Sequence, residues 1–314
     1  MAPPKTSIDL YTSGTPNGQK INCTLEELGL NYTVHKVRLF SCPRTRSQTP
    51  IPPDRWILQT TCRKKIGTSK STVCSSSSYD SHSRPILSLL LFHSRHAHTY
   101  IDVLIANGRI PAIVDNTISP PKRIFEGGSI MLYLTARYDP SYTISFPYDS
   151  AEYWEMVEWI VWMQSGIGPM QGQANHFFRY APTKIDYAIK RYRAETMRLY
   201  QVLEDRLKAQ EEKDGTQSQG FGWMVGGKYT IADLCCFSWV EWAEWAGVET
   251  KPYTRICKWM KMIEERPAVQ KGLNIPEKFE MKEAMKTKEG EEEYAKHHST
   301  WVMKGQEADQ EKHK

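Results

Sequence analysis

Residues 8–37 carry a strand, a helix and a second strand in succession, and this order indicates an α/β domain at this end of the chain. Apolar and polar residues alternate along residues 8–12, as in a strand with one buried face. Residues 19–28 place apolar side chains at helical spacing. Gly29 follows where helices commonly end in a left-handed residue. β-Branched residues at 32–37 predict the second strand.

Regular patterning continues further along the chain. Residues 108–115 predict a strand that begins after a proline, and residues 124–125 a short fourth strand. Residues 129–138 then predict a helix. From residue 149 to about residue 272 the pattern is helical throughout. The sequence therefore predicts an α/β domain followed by an all-α domain.

The all-α half carries capping signals at residues 149–152 and 230–233, where Asp or Thr is followed three positions later by Glu or Asp. The first signal predicts a helix whose inward face carries Trp154, Val157 and Val161. In the second, the Thr230 hydroxyl can accept a hydrogen bond from the Asp233 amide, and the Asp233 carboxylate can accept one from the Thr230 amide.

Residues 38–106 break this patterning. They contain twelve Ser, ten Lys and Arg, three Asp, no Glu and one Gly, and no helix or strand period lasts beyond a few positions. A run this long without a pattern argues against ordered elements, so we expect an unfolded insert in the first domain. Its composition is more typical of translated non-coding sequence (a retained intron or a wrong gene model) than of an evolved lid.

The net charge of +5 raises nucleic acid as a partner, but the distribution of charge argues against one. Outside 38–106 the chain holds 31 basic and 33 acidic side chains. No apolar run approaches the roughly 18 residues of a membrane span, and the first residues lack the apolar core of a signal peptide. Seven cysteines without zinc-like spacing predict no metal site and fit a reducing cytoplasm.

Three turns carry groups able to bind a ligand. The first, residues 13–18, lies between a strand and a helix start, where free amides favour an anion or a thiolate. Thr15 and Asn17 add a hydroxyl and a carboxamide, which can hold a thiolate by hydrogen bonds but cannot act as bases near neutrality. A capped turn with Asn17 as the N-cap of the helix is the alternative interpretation.

The second and third turns lie at Ile110-Pro111 and at residues 126–129. A cis bond before Pro111 leaves the backbone groups of Ile110 free to pair with an extended peptide, and a trans proline at the start of a strand is the alternative. At the third turn Glu126 suits an ammonium group, and the amides from Gly127 onward suit a carboxylate. A thiolate, a peptide backbone and an amino acid terminus are the groups that glutathione carries.

Longer motifs surround these turns, and further motifs lie in the all-α half. They are YTSGTPNGQK at 11–20, NGRIPAIVD at 107–115, FEGGSI at 125–130, GPMQGQANHF at 168–177, RYRAETMRLY at 191–200 and YTIAD at 229–233. Over residues 6–37 and 107–275 the chain resembles the glutathione transferase superfamily, in particular its nu class and fungal nitrogen-regulator-like branch. The resemblance implies a thioredoxin-like α/β domain followed by an all-α domain.

The resemblance also implies a role for each of the first two turns. Asn17, with Thr15 beside it, matches the residues that contact the glutathione sulfur in this branch. Ile110 matches the backbone partner of the glutathione cysteine, with Pro111 in the cis form.

At the third turn, Glu126 matches the ligand of the γ-glutamyl end of glutathione. This chain has Gly127 where the family usually has Ser, so a backbone donor remains and a hydroxyl contact is lost. Gln171, Asn175 and His176 lie on the segment that borders the cleft in such proteins, and they are candidates for the substrate side. For His176, a structural place on a helix face is the alternative.

The resemblance implies a cytoplasmic, homodimeric glutathione transferase or glutathione-dependent disulfide-bond reductase, with glutathione as co-substrate and no other cofactor. Amides of the first helix, with Asn17 and Thr15, would stabilise the thiolate for attack on a small electrophile or a disulfide. The alternative is a non-catalytic regulatory or interaction protein of the same fold. Gly127 and the insert favour this alternative, because the insert replaces the segment that forms one wall of the site.

The expected organisation has three parts. A thioredoxin-like, glutathione-binding domain spans 6–138 and is interrupted by the insert at 38–106. An all-helical domain spans 149–275. Residues 276–314 form a charge-rich peripheral tail with few apolar anchors.

Overall fold

The computed structural model describes residues 7–37, 107–214 and 222–312, so the predicted insert lies outside the described residues. In this part of the chain one sheet is formed by β1 (Ile8–Thr12), β2 (Tyr32–Lys36), β3 (Ala112–Asp115) and β4 (Lys122–Phe125). Its order is β2-β1-β3-β4, with β1 parallel to β2 and the other neighbours antiparallel. All four predicted strands are confirmed.

The helices of the described residues confirm the predicted fold class, a thioredoxin-like α/β domain followed by an all-α domain. They are α1 (Pro16–Glu27), α2 (Gly127–Tyr138), α3 (Ala151–Ser165), α4 (Ile167–Asn175), α5 (Asp186–Asp214), α6 (Ile231–Val240), α7 (Thr254–Glu264), α8 (Pro267–Leu273), α9 (Met281–Ala284) and α10 (Lys288–Lys312). A π-helical turn, His176–Tyr180, continues α4. Among these helices, none has the length and apolar character that crossing a membrane requires.

The first helix begins with a threonine cap. Thr15 is the N-cap, and its hydroxyl accepts a hydrogen bond from the Gly18 amide at 3.2 Å. Pro16 takes the first helical position, where its fixed φ suits the helix and its missing N–H costs nothing. The interpretation of Asn17 as the N-cap is therefore wrong by two residues. Gly29 follows the helix with a φ of 61°, as predicted.

Helix α1 is buried on nearly every side because it packs against α2, α6 and α8. The Asn22 amide donates to the carbonyl of Ile275 at 2.7 Å, which ties α1 to the residues after α8. A Cβ at Gly272 would lie 2.6 Å from the Cα of Cys23, so only glycine lets α8 approach this closely. The helix thus belongs to the cores of both domains.

The helix α3 presents a different face to the core from the one that the sequence predicts. Its N-cap is Ser150 rather than Asp149, and the Ser150 hydroxyl accepts from the Tyr153 amide at 3.1 Å. Trp154 and Val161 are 51% and 57% exposed. The buried positions are Met156, Ile160 and Met163. Large apolar side chains lie on the exposed face as well as on the buried one, so periodicity alone selects the wrong face.

The capping box at α6 is confirmed. The Thr230 amide donates to the Asp233 carboxylate at 2.9 Å, and the Thr230 hydroxyl accepts from the Ala232 amide at 3.2 Å. The other carboxylate oxygen of Asp233 accepts from the Met224 amide and the Trp259 indole, each at 2.9 Å. This fully buried carboxylate therefore joins α6 to α7, and burial raises its pKa.

The C-terminal segment is anchored more firmly than its composition indicates. Met281 of α9 is buried in a cluster with Trp242 and Trp245. Tyr294 of α10 packs edge-on against the Trp245 ring at 5.1 Å between ring centroids. The anchors are few in number but large, which a residue count along the tail does not show.

Candidate functional site

The register of the sheet brings the three predicted turns to one edge. Tyr11 pairs with Ala112, and Ala112 pairs with Phe125, so these residues form one row across β1, β3 and β4. The chain leaves β1 into the first turn just after this row, and it enters β3 through Pro111 just before the row. It leaves β4 into Glu126 directly after the row.

The first turn is closed by a glycine that tolerates no side chain. A Cβ at Gly18 would lie 2.2 Å from the Ser13 carbonyl oxygen and 2.5 Å from the Thr12 hydroxyl. The Thr15 hydroxyl accepts from the Gly18 amide and still has its own hydrogen to donate, because a hydroxyl is donor and acceptor at once. Capping and ligand binding by Thr15 are therefore compatible.

Asn17 lies in the first turn of α1, half-buried, and contacts the all-α domain. Its Oδ1 accepts a hydrogen bond from the Trp239 indole at 3.1 Å. Trp239 lies on α6, 222 residues further along the chain. The sequence gives no sign of this bond.

At the second turn the Ile110-Pro111 bond is cis, so the trans alternative is wrong. Pro111 is buried and Ile110 is half-buried. β3 begins only at Ala112, and within the described ranges no strand pairs with Ile110. The backbone of Ile110 is thus a place where an extended ligand can add to the sheet edge.

The third turn contains a strained residue. Glu126 is the exposed N-cap of α2 and has a φ of 69°, in the region that favours glycine. Its carboxylate accepts from the Asn107 amide at 3.3 Å, and its carbonyl accepts from the Ile130 amide at 2.9 Å. Strain of this kind costs of order 1–3 kcal/mol and is concentrated at ligand-binding sites.

A buried lysine that sequence reasoning missed lies next to this third turn. Lys20 of α1 is fully buried, and its Nζ donates to the Gln164 side-chain oxygen, an uncharged partner, at 2.9 Å. Burial lowers the pKa of Lys20, an effect that the nearby Glu126 carboxylate opposes. The amino group of Lys20 therefore lies close to the place where α2 begins.

Gln171 does not reach the substrate side, and this prediction is wrong. Its side chain is fully buried. The amide nitrogen donates to the Trp239 carbonyl at 2.7 Å, and the amide oxygen accepts from the Tyr200 hydroxyl at 2.8 Å. Both polar atoms join helices of the all-α domain, so Gln171 has a packing role.

Asn175 and His176 lie at the junction of α4 and the π-helical turn. In the described part of the chain, neither the Asn175 oxygen nor the His176 Nδ1 has a hydrogen-bond partner, although both atoms are buried. Burial, assisted by the Lys184 charge, lowers the pKa of His176 and favours its neutral form. π-Helical turns occur often at functional sites, so both residues stay candidates for the substrate side.

The cysteines of the described ranges do not supply a reactive thiolate. Cys23, Cys235 and Cys236 are buried, and burial raises the pKa of each. Cys257 is half-buried, and its thiol donates to the Thr250 carbonyl at 3.3 Å. Cys23 is 1% exposed and packs in the core as a small apolar residue.

Comparison with known proteins identifies the family. Residues 172–267 match the protein family described as "Glutathione S-transferase, C-terminal domain". The disulfide-bond oxidoreductase YfcG of Escherichia coli K12 is 30% identical over 270 residues, which cover 85% of this chain and 94% of YfcG. The chain belongs to the glutathione S-transferase family.

Two solved structures agree with this assignment. A glutathione transferase homologue from Lodderomyces elongisporus, solved with two glutathione molecules per subunit, has a TM-score of 0.64 and 28% identity, covering 86% of this chain and 99% of its own. The nitrogen regulation fragment of the yeast prion protein Ure2p has a TM-score of 0.63 and 25% identity, covering 87% and 98%. The nitrogen-regulator-like branch is consistent with both.

The surroundings of Gly127, where the resemblance implies a Ser, are crowded by Lys20. A Cβ at Gly127 would lie 3.2 Å from the Cδ of Lys20 and 3.5 Å from its Nζ. A serine would therefore press on the lysine, which the bond to Gln164 holds in place. Glycine removes this pressure and leaves the start of α2 without a hydroxyl.

Proposed function

We propose that the protein binds glutathione at this sheet edge and activates its thiol for reaction with an electrophile or a disulfide. The observation that carries the proposal is the strand register, which gathers the three turns. The three turns offer a helix start with two side-chain donors, the backbone of Ile110 before β3, and a carboxylate beside a second helix start. These correspond to the three parts of glutathione.

The first turn would stabilise the glutathione thiolate. The Thr15 hydroxyl and the Asn17 amide can each donate a hydrogen bond, and the α1 dipole adds a partial positive charge. Donors already in place lower the pKa of a bound thiol from its free value of about 8.5. More of the bound glutathione is then thiolate at neutral pH.

The thiolate can react in two ways. Attack on an electrophilic carbon forms a C–S bond and expels the leaving group with its electron pair. Attack on a disulfide forms a mixed disulfide and releases one thiolate, and a second glutathione then resolves the mixed disulfide to oxidised glutathione and a second thiolate. The similarity to YfcG over 94% of its length supports the disulfide reaction.

The other two turns would hold the ends of the ligand. The Ile110 backbone would pair with the cysteine residue of glutathione. Glu126 would bind the ammonium group, and the amides of Gly127 and its successor would bind the carboxylate.

Exposed apolar side chains on α3 support a homodimer. Trp154 and Val161 face outward, and a groove between α2 and α3 is lined by Leu132, Ile160 and Val161. We propose that a second copy covers this face in the cytoplasm. Val161→Glu should shift the sedimentation coefficient from dimer to monomer, whereas Ile185→Glu, at another exposed apolar position, should leave the dimer intact.

A non-catalytic regulatory protein of the same fold is the second candidate. Gly127 in place of the usual Ser supports it, because one contact to the ligand carboxylate is lost. The similarity to the nitrogen regulation fragment of Ure2p supports it as well.

Calorimetry with glutathione, followed by assays with an aryl halide and with hydroxyethyl disulfide, tests the proposal. Binding with turnover of either substrate is the expected result. Binding without turnover of both would favour the regulatory candidate. Absence of binding would overturn the proposed activity and leave the regulatory candidate, which needs no bound glutathione.

A further inference from the structure

The Trp239 ring is held in a fixed position beside the first turn. It lies against α4, where a Cβ at Gly168 would be 3.3 Å from the indole nitrogen and a Cβ at Gly172 would be 3.5 Å from the far ring edge. Two glycines on one face of α4 thus make room for the ring. The Gln171 amide also holds the Trp239 backbone, through the bond to its carbonyl.

The contact between Trp239 and Asn17 fixes the orientation of the Asn17 carboxamide. An indole N–H can only donate, so the atom that meets it must be the Asn17 oxygen. The NH₂ group must then point away from the indole. Across the described ranges no side chain or carbonyl accepts a hydrogen bond from this NH₂ group.

We propose that Trp239 is a positioning residue, which orients the Asn17 carboxamide so that its NH₂ group faces the glutathione sulfur. This inference rests on the proposed function. An asparagine amide can turn over by 180°, and the turned form would present its oxygen to the sulfur. A donor stabilises a thiolate, whereas a carbonyl oxygen repels it. The all-α domain would in this way set the acidity of a thiol bound to the α/β domain.

The chain contains a matched control for the test. Trp242 is close to Trp239 in the chain, and its indole donates to the side-chain oxygen of Gln19 on α1 at 2.8 Å. Both bonds join a tryptophan of the all-α domain to an amide of α1, and both rings are largely buried. Only the bond of Trp239 reaches a residue proposed to contact the sulfur.

The experiment compares Trp239→Phe with Trp242→Phe in the full chain. Each variant loses one indole N–H and keeps an aromatic ring. We expect Trp239→Phe to lower the thiol-transfer rate about tenfold at neutral pH. This loss is smaller than that caused by complete removal of a hydrogen-bond donor. The rate should recover as the pH rises. Ultraviolet absorbance of the bound thiolate should titrate at a higher pH in this variant. Trp242→Phe should leave both pH profiles in place.

A double variant separates positioning from packing. In an Asn17→Ala background, Trp239→Phe should lower the rate no further, because the amide that it orients is gone. An equal loss in both backgrounds, an unchanged pH profile in Trp239→Phe, or the same shift in Trp242→Phe would overturn the role of Trp239. If Trp239→Phe does not fold, benzothienylalanine at position 239 keeps the ring shape without the N–H and gives the same readouts.

Calorimetry on the unaltered protein distinguishes failure of this inference from failure of the proposed function. Glutathione binding with no effect of the Trp239 variants would overturn only the positioning role. Absence of glutathione binding would overturn both.

Discussion

Two helices begin at the same edge of the sheet, and their N-cap residues differ in backbone conformation and in hydrogen bonding. α1 starts from Thr15, whose extended backbone and side-chain hydrogen bond make a relaxed N-cap. α2 starts from Glu126, which has a φ of 69° and no side-chain capping bond. The same kind of element is thus stabilised at one turn and strained at the other.

The difference indicates that one turn stabilises the fold, whereas the other is shaped for binding a ligand. Capping by Thr15 lowers the free energy of the folded chain and still leaves a hydroxyl hydrogen for a ligand. Glu126 has no side-chain capping bond to offset its strained backbone, and a bound ammonium group would offset that strain. Four predictions test this contrast, in order of decreasing effect.

Gly18→Ala should destabilise the relaxed turn most. The added Cβ would meet the Ser13 carbonyl at 2.2 Å, and backbone cannot move aside cheaply. We expect a loss of about 3 kcal/mol or more in the free energy of unfolding, measured by denaturant titration. Gly14→Ala is the control, because its Cβ would meet only the Glu277 side chain at 3.7 Å. Equal stability of the two variants would contradict the packing described for this turn.

Asn17→Ala should have the next largest effect, and on rate rather than on stability. Loss of a donor to a developing negative charge typically costs about 10²-fold, equivalent to about 2.7 kcal/mol. The measurement is the thiol-transfer rate at saturating glutathione. A rate within about twofold of the unaltered protein would show that Asn17 does not stabilise the thiolate.

Glu126→Gly should stabilise the fold while weakening glutathione binding. Glycine adopts a positive φ without strain, so we expect a net gain of about 1 kcal/mol in the free energy of unfolding. Glu126→Gln keeps the strained backbone and removes the charge. Thermal unfolding and calorimetry should therefore show weaker binding in both variants and higher stability only in the glycine variant. If the glutamine variant is equally stabilised, the backbone is not the source of the strain.

Gly127→Ser should have the smallest effect. The new hydroxyl can bond a ligand carboxylate, which favours about threefold tighter glutathione binding, while its Cβ crowds Lys20 at 3.2 Å. Gly127→Ala introduces the same crowding without the hydroxyl, and its affinity should not rise. Calorimetry on this pair measures the hydroxyl contact alone.

The sequence predicts the fold and the three turns well because their signals are local. Alternation and helical spacing lie within single elements, and the Gly29 turn and the capping box at Thr230 depend on residues a few positions apart. The resemblance adds the cis form of the bond before Pro111. These features depend little on how the two domains pack against each other.

What the sequence does not predict depends on contacts across the molecule. Gln171 is a polar residue on a helix, and only its bonds to Tyr200 and Trp239 show that it is buried. Lys20 is buried because α1 is enclosed on all sides, which one helical stripe does not indicate. The exposed face of α3 also carries large apolar side chains, so the spacing along the sequence does not single out the buried face.

The enclosure of α1 has a consequence for how such chains can exchange parts. The helix that begins the proposed glutathione site also forms core contacts with α8, where Gly272 lies against Cys23. A chimera that joins this α/β domain to the helical domain of a relative would need glycine at that position of α8 and an indole at the position of Trp239. Without the first it would not pack, and without the second it would fold with a less acidic bound thiol. The two domains therefore have to be exchanged as one unit, although each is continuous along the chain apart from the segment at 38–106.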